Sequence, residues 1–365
     1  MKKPLKLVFV GLSLSSSWGN GHATTYRALL KGLSAQGHDL VFLERDVEWY
    51  AAHRDMPEPD FCTLTLYRDL GGLRGLLKLH ADADAVIIGS YVPEGVAVID
   101  LAHSLSPRML AYYDIDTPVT LANLSVGDEE FLARRQIPLF DIYFSFAGDR
   151  ALQKLEDEFG AKRAVPLYCA VDPAQYAATG EALHWDLGYL GTYSPDRQPA
   201  IERLLIEPAR RLPHFRFVVA GPQYPADIDW PDNVERIDHL PPTEHASFYS
   251  RQRFTLNVTR ADMIALGHSP SVRLFEAAAC GVPIISDRWD GLDELLPDRE
   301  AILITDTSDE VVELLQGMSN ARRQAIAVNA RRIVLEGHTG EARARELLDA
   351  LDAAAHAGVW VRAIA

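Results

Sequence analysis

Residues 269–294 read SPSVRLFEAAACGVPIISDRWDGLDE. Ser271–Cys280 (SVRLFEAAAC) carries apolar residues at helical spacing, with Pro270 suited to its opening and Gly281 to its stop. Val282–Ser286 (VPIIS) is then a short apolar run, the composition of a buried strand. The small residues of AAAC let the helix pack closely against a sheet. Behind the strand, Asp287–Gly291 (DRWDG) is a polar loop at the strand's carboxyl end. A helix feeding a buried strand that ends in a polar loop is the pattern of a parallel α/β sheet. The helix also offers chemistry. Its free N–H groups near Ser269–Val272 make a ready anion site, and Arg273 adds charge-assisted bonds to a phosphate oxygen. Glu276, three residues on and on the same face, suits a ribose diol. The plainer alternative is an ion pair between Arg273 and Glu276 on a solvated face.

Outward from this stretch the alternation continues. Leu5–Val10, Leu40–Leu43, Ala85–Ile88, Arg108–Tyr112 and Ile142–Phe146 read as strands, and Thr24–Gln36 as a helix stopped by Gly37. The pattern restarts with strands at Leu187–Leu190, Phe215–Ala220, Val234–Ile237, Phe254–Val258, Val282–Ser286 and Ala301–Ile304, and a helical segment at Pro199–Arg211. Val171–Glu181 (VDPAQYAATGE) is small and polar enough to connect two domains. The expected division is 1–170 and 171–340, followed by a last helix over Gly340–Ala357. Two parallel-sheet domains of similar size leave a cleft faced by the carboxyl ends of their strands, where such sheets bind ligands.

Length and composition agree with this reading. The chain has 365 residues, beyond the size at which one core stops growing. Its net charge of −15, with acidic residues spread throughout, argues against a nucleic-acid partner. A local cluster of donors can still hold a small anion. Cys62, Cys169 and Cys280 are odd in number and far apart, so neither a disulfide framework nor a metal-ligand spacing is expected. The start, MKKPLKLVFVGLSLSSSW, reads as a first strand rather than a signal peptide. No run approaches the roughly 18 apolar residues of a membrane span, so a cytoplasmic protein without a transmembrane segment is expected.

Leu187–Gln198 (LGYLGTYSPDRQ) is the second informative stretch. Gly191 lets backbone approach a pyrophosphate, while Thr192, Tyr193, Ser194 and Arg197 offer donors. A plain strand-to-helix turn with a surface arginine is the alternative. In the first domain, Asp114 and Asp116 (YYDIDTP) follow an apolar run, placing a carboxylate at a strand end as a general base; a helix cap explains them as well. His22 has a similar claim to acid–base work, or else binds backbone or water at a helix start. The loop Trp18-Gly19-Asn20-Gly21 lacks the G-x-G-x-x-G spacing of a dinucleotide site, so it is assigned to the acceptor side. Trp49, Tyr50, His53 and Arg54 either line an acceptor site or pack a helix, with packing favoured for Trp49. Asp-x-Asp spellings at Asp114–Asp116 and Asp227–Asp229 are too short to indicate a metal, and none is expected.

FEAAACGVPIISDRWDGLDE resembles the nucleotide-sugar signature of GT-B glycosyltransferases, with Glu276 through Pro283 matching E-A-x-A-x-G-x-P and Glu294 in the place of the later glutamate. SWGNGHATTYRALL, FLERDVEWYAAHRD, YYDIDTP and GYLGTYSPDRQ extend the resemblance, more narrowly, to the CgeB/spore-maturation-protein-like type. The resemblance implies an α/β GT-B fold, two Rossmann-like parallel-sheet domains facing a central cleft, and a metal-independent glycosyltransferase. Its co-substrate is a nucleotide-diphosphate sugar, with no other cofactor; its acceptor is a small molecule, glycan or protein. The donor diphosphate would lie on Gly191, Thr192, Arg197, Ser271, Val272 and Arg273, the ribose and base on Glu276, His239 and Leu240, and the sugar near Asp290, Gly291 and Glu294. The last helix, 341–365, would cross back to the first domain. One position departs: glycogen-synthase-like members carry a glutamate about two turns before the one matched by Glu276, and His268 stands there. Nucleotide-sugar epimerisation on the same scaffold, with His268 as its acid–base group, and non-catalytic sugar-nucleotide binding are the alternatives.

Overall fold

The computed structural model describes residues 3–18 and 21–356. The chain forms two compact units, Met1–Ala170 with Thr339–Ala365, and Val171–His338. Each is built on one parallel sheet, and parallel neighbours require crossovers, which helices supply.

In the first unit the strands are β1 (Lys6–Gly11), β2 (Asp39–Arg45), β3 (Thr63–Tyr67), β4 (Ala85–Gly89), β5 (Leu110–Asp114), β6 (Ile142–Ser145) and β7 (Ala164–Pro166), in the order β3-β2-β1-β4-β5-β6-β7. Leu7–Val10 lie opposite Leu40–Leu43 on one side and Ala85–Ile88 on the other. That register explains the unbroken apolar run of β1: the central strand is buried on both faces. The core joins Leu7, Phe9, Tyr26, Phe42, Ile87 and Phe144 to Ala344, Leu347 and Leu351 of the last helix, Gly340–Ala354. That helix docks on the first one, His22–Ala35, through a glycine pair. A Cβ at Gly340 would stand 1.9 Å from the Ala28 carbonyl oxygen, and one at Gly32 would stand 2.3 Å from that of Gly340. Only hydrogen fits at either place.

The second unit holds β8 (Trp185–Leu190), β9 (Phe217–Ala220), β10 (Val234–Ile237), β11 (Gln252–Asn257), β12 (Ile284–Ser286) and β13 (Leu303–Ile304), ordered β10-β9-β8-β11-β12-β13. Its core packs Leu187, Tyr189, Leu205, Phe217, Leu256 and Ile285 against Val311 and Leu315. In both sheets the strand order reverses once, between β1 and β4 and between β8 and β11. Ligands of such sheets bind at the carboxyl ends beside that reversal. The expected α/β class, two Rossmann-like parallel sheets flanked by helices, is the one found.

Some boundaries differ from the sequence reading. β3 and β7 were not expected. The segment at 198–211 is helical but widens to a π-helix over Glu202–Ile206, because Pro208 has no N–H to close the ordinary ladder and its ring crowds the preceding turn. The helix after Pro270 begins at Val272, with Ser271 as its cap residue. Ala357, the expected end of the last helix, lies outside the described residues. No helix among the described residues is long and apolar enough to cross a membrane.

Candidate functional site

In the second unit, β8 and β11 end side by side in Leu190 and Asn257, and the helix Val272–Ala279 starts beside them. Arg273 links the two strand ends. Its Nε donates to the Leu190 carbonyl at 2.6 Å and its Nη1 to Asn257 Oδ1 at 3.1 Å. Ser271 Oγ donates to the same oxygen at 2.8 Å. Asn257 Nδ2 donates in turn to Ser286 Oγ and Thr259 Oγ1, so the amide cannot flip without losing four bonds. The Arg273 guanidinium also lies over the Tyr189 ring, 4.8 Å from its centroid. A Cβ at Gly191 would meet Arg273 Nη2 at 2.8 Å and Tyr189 Oη at 2.6 Å. Gly191 therefore makes room for the guanidinium, a more specific reason than close approach of a phosphate.

Arg197 comes to the same place from the loop after β8. Its Nη2 donates to the Thr192 carbonyl at 2.6 Å, and its buried Nε has no hydrogen-bond partner among the described residues. Burial pulls its pKa below the ordinary guanidinium value; the charges of Arg273 and Arg260 add to this, against the hydroxyls of Tyr189 and Tyr224. Guanidinium still stays protonated. Among the described residues none of these three arginines forms an ion pair with a carboxylate. In a chain of net charge −15 that is a selective concentration of positive charge.

The other donor-side candidates lie in the same unit. Glu276 is 6% exposed and accepts from Tyr249 Oη at 3.4 Å. Arg273 bonds elsewhere, so the surface ion pair weighed against it is not formed. Leu240 is half-buried with its carbonyl 3.3 Å from His245 Nε2, whose Nδ1 faces Tyr176 Oη, while His239 is exposed. Thr192 is exposed, and Val272 opens its helix. Gly291 caps the short helix Leu292–Leu295, the Asp290 carbonyl accepts from His268 N–H at 2.6 Å, and Glu294 Oε2 lies 3.4 Å from His268 Nε2. His268 thus stands against the very residues assigned to the sugar.

In the first unit, His22 opens the first helix at 7% exposure. Its Nε2 faces Asp116 Oδ2 at 3.8 Å, and its Nδ1 is buried with no partner among the described residues. Asp114 is fully buried. Its carboxylate accepts from Tyr143 Oη at 2.6 Å, Thr120 Oγ1 at 2.9 Å and the Asp116 N–H at 3.2 Å. Burial pushes its pKa up to about 6, against those hydrogen bonds. A carboxylate so enclosed braces the turn that carries Asp116, which itself keeps a half-exposed side chain.

Gly21 is the cap residue of the first helix, and Gly19 and Asn20 lie outside the described residues. The serines ahead of Trp18 have a definite use. Glu44, fully buried at the end of β2, accepts from the N–H groups of Leu14 and Ser15 at 2.7 and 2.9 Å and from Ser15 Oγ at 2.6 Å. Trp18 is 52% exposed and stacks on His53, with centroids 4.5 Å apart. Packing was expected for Trp49, but it is 56% exposed while Tyr50 is buried. The helix is one turn long, Glu48–Ala51, and has no second turn to bury both rings.

Sequence reasoning missed Asn257, Tyr189 and Glu44. A polar residue ending an apolar strand (FTLN, VFLE) was the available signal for two of them. Among the described residues no three His, Cys, Asp or Glu side chains gather as metal ligands.

A family model described as glycosyl transferase-like matches residues 197–349. Solved structures match nearly the full length. Sucrose-phosphate synthase from Thermosynechococcus elongatus shares 12% identity over 97% of this chain and 100% of its own, at a TM-score of 0.67. HepE from Anabaena, in complex with UDP-glucose, shares 14% over 96% and 100%, at 0.65. An alpha-glucosyltransferase in complex with UDP and a 13-mer DNA shares 16% over 96% and 99%, at 0.70.

The fold is GT-B.

No curated protein sequence matches the chain. At these identities the GT-B likeness describes the fold alone. The family model covers the second unit from Arg197 onward and continues into the last helix, so it takes in Arg197, Arg273, Glu276 and Glu294 together.

Proposed function

We propose that the chain is a glycosyltransferase of the CgeB-like type, which moves a sugar from a nucleoside-diphosphate donor to an acceptor hydroxyl. One observation carries this reading: Arg197, Arg260 and Arg273 gather at the strand-order reversal of a Rossmann-like sheet, with no carboxylate at ion-pair distance from them among the described residues. That arrangement fits a diphosphate. Two of the solved structures of similar shape, HepE and the alpha-glucosyltransferase, hold UDP-glucose and UDP respectively.

In this reading the diphosphate lies over Gly191, Thr192 and Ser271–Arg273, Glu276 takes the ribose, and Asp290, Gly291 and Glu294 approach the sugar. Transfer breaks the bond between the anomeric carbon and the diphosphate oxygen and forms one to the acceptor oxygen. The guanidinium groups stabilise the charge left on the diphosphate. The acceptor proton passes to His22. Nδ1 is buried out of a ligand's reach, so the proton is taken on Nε2, and Asp116, with Oδ2 3.8 Å away, stabilises the imidazolium that forms. Asp114 holds the backbone of Asp116 in place.

A thermal-shift panel of nucleoside diphosphates and nucleotide sugars tests the donor site, since ligand binding raises apparent stability. One base should stand out, and Arg197→Ala and Arg273→Ala should each abolish the shift. No response from any nucleotide would end this reading. Epimerisation of a nucleotide sugar is a second reading, favoured by the contact of His268 with Glu294. It requires an altered sugar in the product without any acceptor, which product analysis detects directly.

A further inference from the structure

We propose that Trp18, stacked on His53, is a preformed platform for one ring of an uncharged saccharide. Calling that saccharide the acceptor rests on the transferase reading; the platform itself does not.

The argument begins with what holds the indole in place. Four consecutive residues before Trp18 are tied by hydrogen bonds to other parts of the first unit. Glu44 binds the N–H groups of Leu14 and Ser15, and Ser16 Oγ donates to the His53 carbonyl at 2.8 Å. Asp55 accepts from the N–H of Ser17 at 2.9 Å and from its Oγ at 3.0 Å. Arg27 clamps Asp55 with two bonds of 2.8 Å and donates twice to the Leu14 carbonyl. Arg54 bridges Ser15 Oγ and Asp46. Burial alone would raise the Asp55 carboxyl, but its bonds to Arg27 and Ser17 bring it down to about 2, so it stays ionised. Trp18 and His53 therefore meet across two loops whose shapes are set by charge-assisted bonds.

A rigid support of this kind beneath an indole that remains 52% exposed is what a binding surface needs: ordering is complete before the ligand arrives. The rings lie 14° from parallel, so His53 covers one face of the indole. The patch is small. Within its two loops, Trp49 is the other large hydrophobic side chain exposed to a similar degree, whereas a stable protein interface needs about 800 Å² per partner. One indole face matches one pyranose ring. Its negative π-face attracts the partly positive C–H groups on a sugar's apolar side. The Asp55 carboxylate, bonded to Ser17 next to the indole, keeps about half of its side chain exposed and offers an acceptor to a sugar hydroxyl. The carboxylates and the net charge of −15 disfavour an anionic ligand. The platform also stands at the carboxyl ends of β1 and β2, the ligand-bearing edge of the sheet.

The test is an array of neutral and anionic glycans probed with the labelled full chain, alongside calorimetry with the nucleoside diphosphate found by the shift panel. The wild type should retain neutral glycans. Trp18→Ala should weaken them by about tenfold, the worth of one aromatic stacking contact. Trp18→Phe should restore most of the signal, and the nucleotide affinity of both variants should match the wild type. Retention of anionic glycans only, of no glycan, or equal retention by Trp18→Ala each overturns the platform. If Trp18-dependent retention stands while Arg197→Ala leaves nucleotide affinity intact, the platform survives and the transferase reading fails.

Discussion

Asp114→Asn should remove a fall in stability that the wild type undergoes between acid and neutral pH. The Asp114 carboxyl is fully buried, and burial raises its pKa from 3.8 to about 6 in the folded chain. Below the lower value both states are protonated and the residue contributes nothing to the pH dependence. Between the two values the folded state binds more protons than the unfolded state, so stability falls as pH rises. Above pH 6 both are ionised and the whole penalty is present. A shift of about two units at 1.36 kcal/mol each gives ~3 kcal/mol. Asparagine escapes this penalty. Its carbonyl still accepts from both Thr120 and the Asp116 N–H, which share one oxygen, and its amide donates to Tyr143 Oη, whose own O–H then loses its acceptor at a pH-independent cost of about 1–3 kcal/mol. The stability of the variant relative to the wild type should rise by ~3 kcal/mol from pH 3 to pH 8, or roughly 6–12 °C in Tm for a unit of this size. Urea unfolding across that range, followed by tryptophan fluorescence, reads the difference. Parallel curves for the two proteins would refute the reasoning, because they would show that Asp114 does not titrate between the folded and unfolded values.

Gly191→Ala should weaken nucleotide binding about as much as Arg273→Ala, since its Cβ takes the space of the guanidinium; calorimetry of both variants checks this. Gly340→Ala should cost about 2–3 kcal/mol in urea unfolding, because the clash is with backbone and cannot be relieved by a rotamer. Glu44→Gln should cost about 1–3 kcal/mol, since two backbone N–H groups keep an acceptor but lose its charge. Its effect should also appear as a change in Trp18 fluorescence, measured against Trp18→Phe in the same background. His22→Asn should lower turnover by at least about a hundredfold while leaving nucleotide affinity intact, as removal of a general base does.

The elements that were legible in the sequence are those with burial on both faces. β1, β4 and β9 follow apolar runs that are buried almost along their whole length. β3 escaped because TLTLY, at the sheet edge, buries just Tyr67 and leaves its other residues exposed or half-buried, and β7 because AVP is three residues long. The site was legible by residue type but not by partner. Arg273 stands out in SVRLFEAAAC, but that its bonds go to Leu190 and Asn257 rather than Glu276 depends on strand ends 83 and 16 residues away. Asp114 and Asp116 look equivalent in YYDIDTP. Two residues apart on a strand they would share a face, but β5 stops at Asp114, and Asp116 lies beyond it as the cap residue of the helix Thr117–Ser125, where its side chain turns outward.

The glycine pair that seats the last helix has a consequence for synthesis. The second unit is continuous in sequence, whereas the first is interrupted by it and lacks Ala344, Leu347 and Leu351 until the end of the chain emerges. The usual order, in which the N-terminal domain is finished first on the ribosome, is therefore reversed. Residues 171–338 can complete their core while 1–170 wait with an open one. A stop codon anywhere after His338 and before the helix is whole would leave the second unit intact and expose the core of the first.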